Sequence, residues 1–339
     1  MRSLVRHRAT ILIGAALLVG LFVSSRPRAQ QSANPQSADN RVTLAQLDKW
    51  MQDLSNAGRW GKDDVLGAVN TITPEKKKQA AALVRTGESV SLSHELLTGG
   101  AESQFQVPFV LKMKLFPERQ VTRDQQDIDP HGGSFTHIDA LCHMGYKGHF
   151  YNNFSWDTAT AQGCKLGINA LKDGIVTRGV LIDIPRLRNR LYLEAGTHVY
   201  REDIEAWEKQ AGVKVASGDA LLLRTGRWAK RPSPGSGGYD ASFLPFLKDR
   251  DVALLGSDSA QDVGTVPGCT NKGPEPTMCW LPIHHFALVA RGMNLFDNLD
   301  LEAVAETAAR LKRWEFMLVA APIRVPGGTG APINPVAVF

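Results

Sequence analysis

A short segment in the middle of the chain places two histidines and an aspartate at spacings suited to metal binding. It reads Thr136-His137-Ile138-Asp139-Ala140-Leu141-Cys142-His143. If the segment is extended, alternate side chains share a face, so His137 and Asp139 project together and Ile138 packs behind them. An imidazole and a carboxylate on one face can hold zinc or manganese. His143 could join them or carry protons beside the metal. The alternative is a polar turn in which Asp139 hydrogen-bonds His137.

A second cluster contains the adjacent residues His284 and His285, followed by Asp297. Neighbouring residues on a helix point about 100° apart, so both histidines cannot face one metal. We expect one of them to be a ligand or base and the other to lie at the surface or in packing. Asp297 could return a carboxylate to the same point, or it could belong to an ordinary acidic loop. We interpret Asp258 and Asp262 as turn residues.

The elements that must position these residues follow from apolar periodicity and turn residues, which predict one mixed α/β domain over residues 42–339. Helices are predicted at 42–54, 74–85, 201–210, 281–291 and 299–314. Strands are predicted at 89–93, 107–116, 179–185, 219–224, 252–256 and 316–323. The remaining residues to 339 are interpreted as a Gly/Pro-rich tail.

The N-terminus has the layout of a secretory signal peptide at residues 1–29, followed by a disordered spacer at 30–41. Basic residues precede an apolar run, Ile11–Val23, that is too short to span a bilayer comfortably. An uncleaved anchor is the alternative. A periplasmic or secreted location is therefore expected, with no membrane association after cleavage.

The net positive charge of the chain is accounted for by this leader. The whole chain carries +5, and residues 1–29 hold five arginines and no acidic residue. The rest is close to neutral and has no basic stripe, which argues against nucleic-acid binding. The expected partners are a small-molecule substrate and further copies of the chain in a dimer or tetramer.

The four cysteines are Cys142, Cys164, Cys269 and Cys279, and they form no C-x-x-C motif. Cys269 and Cys279 could be bridged in an oxidising compartment, or both could be free. Cys142 would face away from His143 on a strand, so we assign it to packing. The chain also lacks the Gly-x-Ser-x-Gly elbow of serine hydrolases.

The first cluster resembles the metal-binding signature of the cyclase-like metal-dependent hydrolases, a family that includes bacterial kynurenine formamidases and isatin hydrolases. The resemblance extends to residues 61–70, 179–185, 218–226 and 327–335, and to His285 with Asp297 twelve residues later. It implies a swivelling β/β/α fold with a β-barrel-like core and flanking helices. It also implies arylformamidase-like hydrolysis of a small aryl or cyclic amide, imide or lactone by water activated on Zn²⁺ or Mn²⁺.

Carried over by position, the resemblance makes His137, Asp139 and Asp297 metal ligands and makes His143 and His285 the catalytic histidines. Two positions depart from the family pattern: Gly133 stands where the family has a histidine, and Asp297 where it has a glutamate. His131 is the candidate replacement for the ligand missing at Gly133. These departures lead us to expect a single metal ion, and they motivate a rival hypothesis of a secreted binding protein without turnover.

Overall fold

The structure of the protein is a computed structural model that describes residues 42–96, 109–131, 135–230, 235–269 and 280–339. The predicted leader and spacer, Gly133 and Cys279 lie outside these ranges, so the proposed pairing of Cys279 with Cys269 stays a prediction. Within the described ranges, every helix is too short or too polar to cross a bilayer.

Thirteen strands are present in the described residues. They are β1 (Ser89–Ser91), β2 (Val110–Phe116), β3 (Val121–Asp127), β4 (His137–Asp139), β5 (Ile175–Asp183), β6 (His198–Val199), β7 (Ala220–Arg224), β8 (Gly238–Tyr239), β9 (Leu254–Ser257), β10 (Asn294–Asp297), β11 (Glu315–Ala320), β12 (Gly330–Pro332) and β13 (Val336–Val338). Nine of them form one curled sheet in the order β1-β13-β11-β5-β7-β9-β10-β4-β12. The pairs β2-β3 and β6-β8 are separate.

Seven α-helices flank the strands in the same ranges. They are α1 (Leu44–Asp53), α2 (Pro74–Ala81), α3 (Ile184–Leu187), α4 (Arg201–Ala211), α5 (Leu244–Asp249), α6 (Pro282–His284) and α7 (Glu302–Leu311). A π-helix, His285–Ala290, continues α6. Short 3₁₀ turns occur at Gly67–Thr71, Pro117–Arg119, Tyr151–Asn153, Trp156–Thr158, Ile168–Leu171 and Ala241–Phe243. The predicted α/β class with a barrel-like core and flanking helices is confirmed.

The centre of the sheet consists of the parallel strands β5, β7, β9 and β10. Their side chains are almost wholly buried, and β7 reads Ala-Leu-Leu-Leu-Arg with every residue buried. Continuous apolar runs of this kind are typical of parallel strands covered on both faces. The next two strands, β4 and β12, run antiparallel to their neighbours. The polar residues of β4 therefore lie beside β10, the last of the buried parallel strands.

Three sequence predictions need correction. Residues 281–291 do not form one α-helix, because the backbone widens into a π-helix after His284. The predicted tail contains β12 and β13, which are three residues each and too short for a periodic signal. The helix predicted at 299–314 is shorter, since it begins at Glu302 and ends at Leu311 with Lys312 in the left-handed conformation.

Cys142 packs in the core, as predicted, but it is also bonded to Cys164, which the sequence did not indicate. The prediction assumed that the strand continues to His143, but β4 ends at Asp139 and a turn follows, closed by the His143 N–H donating to the Ala140 carbonyl at 2.9 Å. The disulfide joins this turn, next to the histidine of the first cluster, to a loop 22 residues further along the chain.

Replacing both Cys142 and Cys164 by serine should lower the free energy of unfolding by about 3 kcal/mol, because a cross-link across 22 residues restricts the unfolded chain. Urea denaturation of the oxidised proteins measures the difference. In excess reductant the variant and the parent should unfold at the same urea concentration. Equal stability of the two oxidised proteins would show that the bond adds nothing.

Candidate metal centre

Strand β4 places the first cluster between two neighbouring strands. Asp297 of β10 lies opposite His137, and Gly330 of β12 lies opposite Asp139. Ile138 is fully buried on the other face, as the alternation predicted. The polar side chains of three strands therefore meet on one side of the sheet.

Asp139 is the most enclosed charged group of this cluster. Its side chain is 1% exposed, and neither carboxylate oxygen has a hydrogen-bond partner within the described residues. Burial raises its pKa, but the neighbouring imidazoles of His143, His131 and His137 outweigh burial and hold the pKa far below its ordinary value. The group is therefore an anion surrounded by imidazoles.

The ring of His137 is oriented by the backbone. Its Nδ1 lies 2.9 Å from the carbonyl oxygen of Phe135, so Nδ1 carries the proton and donates it. Its Nε2 is then left as a lone pair, 3.5 Å from Oδ1 of Asp139. A histidine held by a carbonyl through one nitrogen is prepared to bind a metal through the other.

His131 and His143 stack against each other with ring centroids 3.8 Å apart. Nδ1 of His131 lies 3.1 Å from Oδ1 of Asp139, and its Nε2 contacts the hydroxyl of Thr329 at 3.0 Å. Burial lowers the pKa of His131, but the contact with Asp139 raises it more, so the pKa lies above its ordinary value. Burial lowers the pKa of His143 to about 4, so this ring is neutral at pH 7 and can accept a proton or a metal.

Asp297 approaches from the end of β10 and is 4% exposed. Its Oδ1 accepts a hydrogen bond from Nε2 of Gln261 at 2.8 Å. Gln261 is fully buried and has a positive φ of 55°, an uncommon conformation for a residue with a Cβ. Such backbone conformations concentrate at functional sites, so the loop after β9 is shaped to hold this carboxylate.

The two adjacent histidines point in different directions, as expected, and neither lies at the surface. Both are buried, and it is His284, not His285, that contacts Asp297, with Nε2 3.2 Å from Oδ2. His285 points elsewhere: its Nδ1 lies 3.1 Å from the carbonyl oxygen of Gly145. Burial lowers the pKa of His285 to about 4.

Asp262 is also more than a turn residue. Its Oδ2 lies 2.6 Å from Nδ1 of His284, and its Oδ1 accepts the backbone N–H of Ile283 at 2.7 Å. Burial lowers the pKa of His284, but the carboxylates of Asp297 and Asp262 raise it well above its ordinary value. Asp262 is 35 residues before Asp297 in the chain, and nothing in its local sequence indicates this contact.

The donors form two groups that share Asp139, one with His131 and His143 and one with His137 and Asp297. Within each group one ligand atom per residue lies within 4.8 Å of the others. A buried carboxylate without hydrogen bonds is costly unless a cation satisfies it. Nitrogen and carboxylate donors suit zinc and manganese, so the residues fit such an ion. The expectation of a single ion stays a prediction.

The family model named Cyclase matches residues 90–261. No curated protein matches the chain. A crystal structure described as a novel cyclase is 28% identical, with a TM-score of 0.75, and the match covers 85% of this chain and 99% of that one.

Two further solved structures share the fold. Isatin hydrolase A from Labrenzia aggregata, bound to benzyl benzoate, is 18% identical, with a TM-score of 0.54 over 76% of this chain and 94% of that one. An isatin hydrolase bound to the product analogue thioisatinate is 19% identical, with a TM-score of 0.50 over 77% and 95% of the two chains. At these identities the likeness concerns the fold alone.

A Gly330→Ala substitution should disturb the donor group that contains His131. A Cβ at this position would lie 2.7 Å from Cε1 of His131 and 2.8 Å from the carbonyl oxygen of Ile138. We expect the free energy of unfolding to fall by about 1–3 kcal/mol, as for other overpacked sites. Urea denaturation of the metal-free protein measures it.

The matched control adds His131→Ala to the same background. Removing the imidazole should recover part of the loss, because only the contact with the Ile138 carbonyl then remains, and the double-mutant cycle isolates the ring contact. Additive effects of the two substitutions would show that the ring does not need the space at Gly330.

Proposed function

Because the chain belongs to the Cyclase family, we propose that it is a metal-dependent hydrolase that cleaves a small aryl or cyclic amide, imide or lactone. The observation that carries the proposal is the carboxylate of Asp139, which is buried among histidines with both oxygens lacking hydrogen bonds from the described residues. A divalent ion at this point is the simplest group that would satisfy the carboxylate and the lone pair of His137 together.

We assign His137, Asp139 and Asp297 to binding of the ion, and His131 to the adjoining donor group on the other side of Asp139. A zinc or manganese ion supplies Lewis-acid chemistry: it lowers the pKa of water toward 7 and stabilises negative charge on an attacked carbonyl oxygen. The protein's part is to keep the donor atoms fixed. The carbonyl of Phe135 holds the ring of His137 by a hydrogen bond, and the side-chain amide of Gln261 holds the carboxylate of Asp297 in the same way.

Proton transfer is assigned to His285 and His143. Nδ1 of His285 donates to the Gly145 carbonyl, so its buried Nε2 presents a lone pair that has no hydrogen-bond partner in the described residues. A neutral imidazole held this way can accept a proton from water at Nε2 and return it to the leaving nitrogen or oxygen. His143 has no such backbone bond to fix its tautomer, and its stacking on His131 leaves it free to relay a proton.

The substrate class rests on the family resemblance and on the isatin hydrolases that share the fold. Zinc- or manganese-loaded protein should therefore be assayed against formylkynurenine, isatin and simple lactones. Hydrolysis of an amide or imide in preference to the lactones would support the arylformamidase-like assignment. Tight binding with no hydrolysis of any of them would favour the rival hypothesis of a binding protein.

The substitution His137→Ala should abolish both metal binding and hydrolysis, because it removes the one donor whose lone pair is fixed by the backbone toward Asp139. Elemental analysis after loading with one equivalent of zinc and removal of free ion measures the first effect. His198→Ala is the control, since His198 pairs with Asp240 and is partly exposed. Full metal content in the His137 variant would contradict the assignment.

The substitution His285→Ala should leave the metal content unchanged and lower kcat by about 10²–10⁴-fold, the usual contribution of a positioned acid–base group. Metal content and steady-state kinetics on the best substrate of the panel give the two readouts. An unchanged kcat would remove His285 from the proton-transfer role, and a simultaneous loss of metal would make it a ligand instead.

A further inference from the structure

The sequence leaves open whether His284 or His285 is a ligand, and the structure holds the ring of His284 between two carboxylates. Asp262, whose side chain is 2% exposed, accepts from Nδ1 of His284 at 2.6 Å. The same carboxylate accepts the N–H of Ile283, the second residue of α6, and that of His284 at 3.4 Å. One buried carboxylate therefore sets both the start of the helix and the direction of the ring.

The nitrogen that remains, Nε2, faces the two carboxylates of the candidate site. It lies 3.2 Å from Oδ2 of Asp297 and 3.7 Å from Oδ2 of Asp139. Two donor atoms that bind one ion at about 2.1 Å each are themselves about 3.0–3.4 Å apart. The separation of Nε2 from Asp297 falls in this range, and that from Asp139 is a few tenths of an ångström longer.

The backbone after His284 explains how neighbouring histidines serve different purposes. The π-helix begins at His285 and widens the turn, and the ring of His285 points to Gly145 while that of His284 points to Asp297. Single turns of π-helix occur frequently at functional sites. The distortion keeps the two imidazoles from competing for one position.

We propose that His284, oriented by Asp262, is a ligand of the same ion as His137, Asp139 and Asp297. This inference rests on the proposed function, since it concerns the ion assigned there. Asp262 acts as a positioning residue, in the manner of the carboxylates that hold metal-bound histidines elsewhere.

The test compares zinc affinity and the visible spectrum of cobalt-substituted protein for the wild type, His284→Ala, Asp262→Asn and His198→Ala. We expect Asp262→Asn to weaken zinc binding by about 10–100-fold, the usual effect of losing such a partner. His284→Ala should weaken it more and also change the cobalt spectrum, because a ligand is lost. His198→Ala removes a histidine from a similar pair with Asp240, at 2.7 Å and outside the site, and should change neither quantity.

Wild-type zinc affinity and an unaltered cobalt spectrum in His284→Ala would overturn the inference. If His137→Ala still loses the metal in that case, the proposed function stands and only the role of His284 fails. If the wild type itself binds no ion, both fail.

A crystal of the wild-type protein with one equivalent of zinc provides a test that does not depend on the variants folding. The inference requires Nε2 of His284 to lie at ligand distance, about 2.0–2.1 Å from the ion. An ion bound by His137, Asp139 and Asp297 with His284 outside that distance would contradict it.

Discussion

The carboxylate of Asp139 is the constraint on which the rest of the site depends. It is charged, it is 1% exposed, and within the described residues no N–H or O–H donates to it. Desolvating a buried charge costs several kcal/mol. Removing the partner of a buried charge destabilises the fold more than replacing the whole pair by apolar groups. The imidazoles of His131 and His137, at 3.1 and 3.5 Å, are what the protein supplies in compensation. A buried anion that is surrounded by imidazoles but accepts no hydrogen bond from the described residues is prepared for a cation.

Two backbone hydrogen bonds hold Asp139 in this position. Its carbonyl oxygen accepts from Nδ2 of Asn294 at 2.8 Å, and the next residue, Ala140, donates its N–H to the carbonyl of Thr329 at 2.8 Å. One contact comes from β10 and the other from the residue before β12, so the segment is held from both sides. Gly330 follows Thr329 because its position has no room for a Cβ beside His131. The glycine-rich C-terminal motif is thus a part of the site, although no chemical function was predicted for it.

The sequence predicted what depends on local pattern. The alternation in β4 places His137 and Asp139 on one face, and the two residues do approach each other. It could not predict contacts made by the end of one strand with a distant loop: Gln261 and Asp262 have no periodic signal, and their partners are fixed only when β9 and β10 pair in parallel. The pairing of His285 with Asp297 that the resemblance implied differs from the structure for a related reason: a regular helix was assumed where the backbone forms a π-helix, and it is His284 that contacts Asp297.

The dispersal of the site along the chain ties metal binding to folding. His131 and His143 flank β4 in the sequence, whereas His284 and Asp297 lie in α6 and β10, much further along the chain. These segments become neighbours only when β4 pairs with β10. The unfolded chain therefore has no comparable site. An ion that binds only the folded state stabilises it by mass action, in proportion to the logarithm of its concentration over Kd. The carboxylates of Asp139, Asp262 and Asp297 converge on His284 only in the folded sheet, so folding and affinity for a cation depend on the same contacts.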